Sequence, residues 1–131
     1  MKLLPRLLLA IEISLLLPSA WAQTVVLNTN DSGVGSLRFA ISNAPAGATI
    51  TFTNTLSGLT IILTSGELLL NKNLTIDGSA LANSVAINGN HASRILEITN
   101  ATVTLTSLII TNGYTTSDFG SGGGSSWLGH Q

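Results

Sequence analysis

Leu68-Leu69-Leu70-Asn71-Lys72-Asn73-Leu74-Thr75-Ile76-Asp77-Gly78 is echoed by Val103-Thr104-Leu105-Thr106-Ser107-Leu108-Ile109-Ile110-Thr111-Asn112-Gly113. The ends of the two stretches lie 35 residues apart, with a one-residue slip inside. Val85-Ala86-Ile87-Asn88-Gly89 is a shorter copy of the second half. Two architectures compete for such a pattern. A β-sandwich would use Asp-Gly and Asn-Gly as two-residue hairpin turns between antiparallel strands. But Asp77-Gly78 is followed by Ser79-Ala80-Leu81-Ala82-Asn83, and Asn88-Gly89 by Asn90-His91-Ala92-Ser93, so neither pair joins two strands tightly. Repeated short strands with irregular corners favour a parallel solenoid, in which each coil stacks on the one before.

Outward from this echo the chain is almost entirely strand-like. Alternating or β-branched runs at Thr24 to Asn28, Thr49 to Thr53, Leu59 to Leu63, Glu67 to Leu70, Leu74 to Ile76, Val85 to Ile87, Arg94 to Ile98, Val103 to Leu105 and Leu108 to Ile110 predict nine short strands. One segment breaks the pattern. Leu37, Ala40, Ile41 and Ala44 fall at i, i+3, i+4 and i+7, the spacing of one helical face. Ser36 is placed to cap this helix, Gly33 and Gly35 let the chain turn into it, and Pro45 and Gly47 stop it. Two turns of helix cannot stand alone, so it must pack against the strands.

The run Asn28-Thr29-Asn30-Asp31-Ser32-Gly33-Val34-Gly35-Ser36-Leu37-Arg38-Phe39-Ala40-Ile41 precedes the apolar strand Ala48-Thr49-Ile50-Thr51-Phe52, then Ser65-Gly66-Glu67-Leu68 and Asn73-Leu74-Thr75-Ile76-Asp77-Gly78. This order resembles the N-terminal signature of secreted right-handed parallel β-helix proteins, a group that includes autotransporter-type and polymorphic outer-membrane surface proteins. The likeness covers roughly Asn28 to Gly124. It implies an all-β fold, a right-handed parallel β-helix of few coils, with a short capping α-helix built on Ser36, Leu37, Arg38 and Ile41. Phe39 departs from the pattern, because that position commonly holds Glu or Gln, whose side chain would return to the Ser36 N–H and complete a capping box. Two roles are open for Phe39: packing near Val34, or an exposed contact with a partner. The end departs too. Asp118-Phe119-Gly120-Ser121-Gly122-Gly123-Gly124 resembles the start of another coil, yet Ser125 to Gln131 brings no strand or cap. The expectation is a truncated product with a loose tail over residues 115–131 and an open last coil prone to self-association.

The first 22 residues read as an export signal. Lys2 and Arg6 are followed by an apolar run from Leu7 to Leu17, then Pro18 and the cleavage pattern Ala20-Trp21-Ala22, which places the cut between Ala22 and Gln23. The run is too short for a bilayer span and carries Glu12. A cap region over 23–47 and coils over 48–114 complete the expected organisation. The whole chain has 131 residues, 44% hydrophobic and 8% charged, against roughly 25% charged in an ordinary soluble domain. Five basic and six acidic residues exclude a basic nucleic-acid binder. Zero cysteines exclude a disulfide scaffold, a thiolate metal site, a cysteine nucleophile and bacterial-type lipid attachment. Beyond the export segment, Arg38, Lys72 and Arg94 stand against Asp31, Glu67, Asp77, Glu97 and Asp118, a formal balance of −2.

Little in this inventory points to catalysis or a cofactor. The five carboxylates are scattered along the chain. Asp77 serves its Asp-Gly turn, and Glu67 and Glu97 read as solvated strand-edge residues. His91 sits in a polar turn and His130 in the tail, with no third ligand for a metal. There is no G-x-S-x-G elbow, dinucleotide fingerprint or P-loop, and the Gly120 to Gly124 run lacks the aspartate of a calcium-binding repeat. Asn30-Asp31-Ser32, Asn73-Leu74-Thr75 and Asn100-Ala101-Thr102 fit glycosylation triplets, but Asn is also expected at corners for its backbone hydrogen bonds. Arg38 is expected to tie the helix to the loop at Asp31. The function expected is non-enzymatic: an exported, secreted or outer-membrane-associated surface protein showing a polar face to a glycan or protein. The alternative is the remnant of a β-helix polysaccharide lyase or hydrolase whose active-site coils are missing.

Overall fold

The computed structural model describes residues 23–115; the segment expected to direct export, His130 and the Gly-rich run lie outside the described residues. The strands are β1 (Gln23–Val26), β2 (Ala48–Phe52), β3 (Thr60–Ile62), β4 (Leu68–Leu70), β5 (Leu74–Asp77), β6 (Val85–Asn88), β7 (Leu96–Ile98), β8 (Val103–Thr106) and β9 (Leu108–Thr111). Helix α1 spans Leu37–Asn43, and a single 3-10 turn covers Asn54–Leu56. Each of the nine runs expected to be strands overlaps one, with ends that differ by up to two residues.

All strand pairs are parallel. The first sheet has the order β1-β2-β5-β8, the second β3-β6-β9, and the third is β4-β7. From β2 onward the chain therefore visits the first, second and third sheets in turn, returns to the first, and repeats the circuit. Ala48 meets Leu74 and Thr60 meets Ala86, each 26 residues on, while Leu68 meets Leu96 after 28. Leu74 meets Val103 after 29, and Val85 meets Leu108 after 23.

These registers correct the period read from the sequence. The 35-residue echo aligns the Leu74–Asp77 strand with the Leu108–Thr111 strand, but these belong to different sheets. The true neighbours of Leu74–Asp77 are Val103–Thr106. Alternating Leu, Ile, Val and Thr look alike on every strand, so side-chain pattern does not reveal which strand lies next door. Corner length breaks the periodicity: seven residues separate β5 from β6, whereas Ser107 alone separates β8 from β9. Ser107 makes that corner with φ +56, in the left-handed region.

The core lies inside the circuit. Ile50, Ile61, Leu68, Leu70, Ile76, Ile87, Ile95 and Leu96 are essentially inaccessible to solvent, each stabilising the fold by roughly 1.5–3 kcal/mol relative to exposure. Helix α1 adds Leu37, Ala40 and Ile41 to this cluster, and packs against β1 and β4. It stands beside β4, where another strand of the third sheet would otherwise lie. At the opposite end Val103, Leu105, Leu108 and Ile110 pack against the core but remain only half-buried.

Gly78 and Gly89 are turn signals for a different reason than a hairpin requires. Neither has positive φ. A Cβ on Gly78 would lie 2.8 Å from the Ser107 carbonyl oxygen, and one on Gly89 2.8 Å from that of Asn112. Their N–H groups donate to the Thr106 and Thr111 carbonyls at 2.9 Å. Glycine is needed here because the next circuit passes too closely for a side chain. Gly89→Ala should therefore cost about 1–3 kcal/mol, the range for overpacking, in chemical denaturation. A loss under about 0.5 kcal/mol, within the range of neutral surface changes, would show that the two circuits are not in contact there.

Candidate functional site

The densest polar constellation joins α1 to the segment ahead of β4. Ser36 is fully buried; its hydroxyl accepts from the Phe39 N–H at 3.1 Å and donates to the Gly33 carbonyl at 2.7 Å. The Ser36 N–H, which a Glu or Gln at position 39 would have satisfied, instead donates to the Gly33 carbonyl at 3.1 Å. Gly33 and Gly35 make this possible with φ of +90 and +84. The cap is complete without a polar side chain at Phe39, which is 41% exposed.

Arg38 leaves the helix on the other side. Its Nε donates to the Asp31 carbonyl at 3.1 Å and its Nη2 to Asp31 Oδ1 at 2.8 Å. Nη2 also donates to the Gly66 carbonyl, and Nη1 to the Glu67 carbonyl, both at 2.8 Å. The second carboxylate oxygen of Asp31 accepts from the Ser65 hydroxyl. Arg38 thus fastens three separate stretches: the Asp31 loop, the helix and the entry to β4. The tie to Asp31 stands where the sequence places it. Those to Gly66 and Glu67 were missed, because a carbonyl acceptor has no side-chain signature. The only signal for them was the quoted Ser65-Gly66-Glu67-Leu68 segment.

Glu67 and Glu97, expected to be solvated strand-edge residues, share one basic partner. Arg94 Nη2 lies 3.5 Å from Glu67 Oε1 and 3.4 Å from Glu97 Oε2, bringing two carboxylates from neighbouring circuits to one guanidinium. All three side chains are about one-third exposed, so the cluster is screened by solvent. Asp77 is on another sheet from Glu97, opposite Thr106, and the fold does not bring the two carboxylates together.

A cleft of about 450 Å³ opens between α1 and β4, lined by Arg38, Ile41, Ser42, Glu67, Leu68, Leu69, Asn71 and Lys72. Lys72 Nζ donates to the Ser42 carbonyl at 3.0 Å, so the lysine supports the C-terminal end of the helix. Among the described residues no group of three or more His, Cys, Asp or Glu could hold a metal ion. His91 is exposed in its turn with φ +55. Gln23 begins β1, while Ala22 lies outside the described residues. No helix among the described residues is long and apolar enough to cross a membrane.

The corners use one device repeatedly. Asn28 Oδ1, Asp77 Oδ1 and Asn88 Oδ1 each accept the N–H two residues on, from Asn30, Ser79 and Asn90, at 2.8–3.1 Å. The Ser79 hydroxyl and N–H hold the Asp77 carboxyl below its ordinary value. Asn73 and Asn100, candidate glycosylation positions, are exposed. Asn73 Oδ1 accepts from the Thr102 N–H at 2.8 Å, and Asn100 has φ +50.

No family model, curated protein or solved structure matches this chain. Among the described residues the polar chemistry comprises a part-buried ionic fastening, a solvated ion-pair cluster and broad polar faces.

At Asp31, burial raises the carboxyl pKa. The hydrogen bonds from Ser65, Arg38 and the Thr64 backbone, with the Arg38 charge, outweigh burial and bring it below 3.8. A carboxyl depressed in the folded state contributes stability at neutral pH, and that contribution is lost as pH falls through the folded value. Asp31→Asn should flatten the acid limb of a stability-against-pH curve below about pH 4, and an unchanged limb would exclude Asp31 from acid unfolding. Arg38→Ala should cost about 2–3 kcal/mol near neutrality, because it removes charge-assisted bonds and strands the Asp31 carboxylate. Denaturant titration reads this directly.

Proposed function

We propose that the chain is an exported right-handed parallel β-helix protein of the cell surface, which displays a polar face to a glycan or a surface protein and performs no reaction. The observation that carries this reading is the recurrence of strands through three parallel sheets in fixed order. Such a circuit lines up outward side chains in ranks, a geometry suited to repetitive display. Right-handedness follows from the strong preference of parallel β crossovers for that hand. Export is supported by the Lys2 to Ala22 pattern of the sequence. Helix α1 shields one end of the core, while Val103, Leu105, Leu108 and Ile110 stay half-buried at the other end of the described residues.

The Arg94 cluster favours a second reading, the remnant of a polysaccharide lyase or hydrolase. Two carboxylates beside a guanidinium are components such chemistry could use.

Both readings face one experiment. The full chain is expressed with its export segment, recovered from the exported fraction, sequenced from its N-terminus, and exposed to arrays of glycans and acidic polysaccharides with and without calcium. Display predicts a mature chain beginning at Gln23 and binding without turnover. Calcium-dependent cleavage that Glu97→Gln abolishes would replace display with the enzyme reading. Absence of both binding and cleavage would overturn both.

A further inference from the structure

The outer face of the first sheet carries a pattern that the other two lack. Its β2, β5 and β8 strands read Thr49-Ile50-Thr51, Thr75-Ile76-Asp77 and Thr104-Leu105-Thr106 around inward-facing residues. Thr49 lies beside Thr75, and Thr75 beside Thr104, in unbroken parallel register; Asp77 lies beside Thr106. Five of these six outward positions are threonine; β1, the remaining strand of the sheet, places exposed Val25 beside Thr51. We propose that this face is an ice-binding surface, its threonine ranks engaging an ordered layer of water at an ice front. This goes beyond display of a polar face to a glycan or protein and does not depend on it.

The alternative explanation is that threonine suits any exposed strand position. The other sheets argue against propensity alone. Outward positions of the second sheet hold Thr60, Ile62, Ala86, Asn88, Ile109 and Thr111, and those of the third hold Leu69 and Glu97. The same backbone and the same solvent select no comparable rank there.

Geometry then favours water over a polymer. Parallel rungs lie about 4.8 Å apart, and residues i and i+2 on one strand about 6.6 Å apart. The rung repeat is close to the shorter oxygen–oxygen repeat on faces of hexagonal ice, and the along-strand repeat falls short of the longer one. Thr49, Thr75, Thr104 and Thr106 each carry a hydroxyl that can take a lattice position and a methyl that orders water beside it. The face is nearly neutral, matching an uncharged surface: Arg38, Lys72 and Arg94 lie around the helix and the third sheet, and Asp77 alone of the six positions ionises. The Asp77 carboxylate is engaged by Ser79 at the corner. No aromatic side chain stands among the six to stack on a sugar ring.

The test is partition of the full chain between slowly growing ice and the liquid, together with inhibition of ice recrystallisation. Enrichment in the ice and smaller ice grains are expected. Thr75→Lys, at the centre of the face, should lose both while circular dichroism and thermal midpoint stay unchanged. Thr60→Lys on the second sheet should retain both. If Thr75→Lys fails to fold, Thr104→Lys takes its place. Exclusion of the unaltered chain from ice, or equal loss from Thr60→Lys and the first-sheet variants, would overturn the proposal.

Discussion

Every strand among the described residues takes its hydrogen bonds from a strand one circuit away, at the fixed separation of parallel rungs. Much else follows from that constraint. The rung above a corner passes so close that Gly78 and Gly89 cannot carry a side chain. Corners that cannot use hairpin geometry are closed by Asn28, Asp77 and Asn88, each folding its side chain onto the backbone two residues on. Left-handed residues such as Ser107 and Asn112 turn the chain from one sheet toward the next.

The same constraint accounts for the low charge. Side chains at equivalent positions of successive circuits sit about 4.8 Å apart, and like charges repeated there would repel. No strand register among the described residues places two like charges side by side: Glu97 faces Leu69, and Asp77 faces Thr106. The charges that are present do specific mechanical tasks. Arg38 and Asp31 fasten the helix to two other stretches, Lys72 holds the helix end, and Arg94 ties Glu67 to Glu97 across circuits.

Much of this was legible in the residues, for identifiable reasons. Nine alternating runs and one i, i+3, i+4, i+7 run located the strands and the helix, because both signals are local. Ser36, Gly33 and Gly35 announced the helix start through the conformations that only such residues favour. Register was not legible: the 35-residue echo paired look-alike strands from different sheets, while the circuits advance by 23 to 29 residues. The candidate site was legible at Arg38 and Asp31, where charges pair, and invisible at Gly66 and Glu67, where Arg38 binds backbone carbonyls. The Arg94 cluster was hidden for the same reason as register, since it joins residues from successive circuits.

The register of those circuits can be tested directly, because the chain has no cysteine of its own. Thr75→Cys combined with Thr104→Cys puts two thiols on neighbouring rungs of the first sheet, within the Cα separation a disulfide tolerates. Thr75→Cys combined with Ile109→Cys instead follows the sequence echo. On mild oxidation of the folded chain, the first pair should close a disulfide and the second should remain reduced. Closure of the Thr75/Ile109 pair in place of Thr75/Thr104 would contradict the stacked circuit described above.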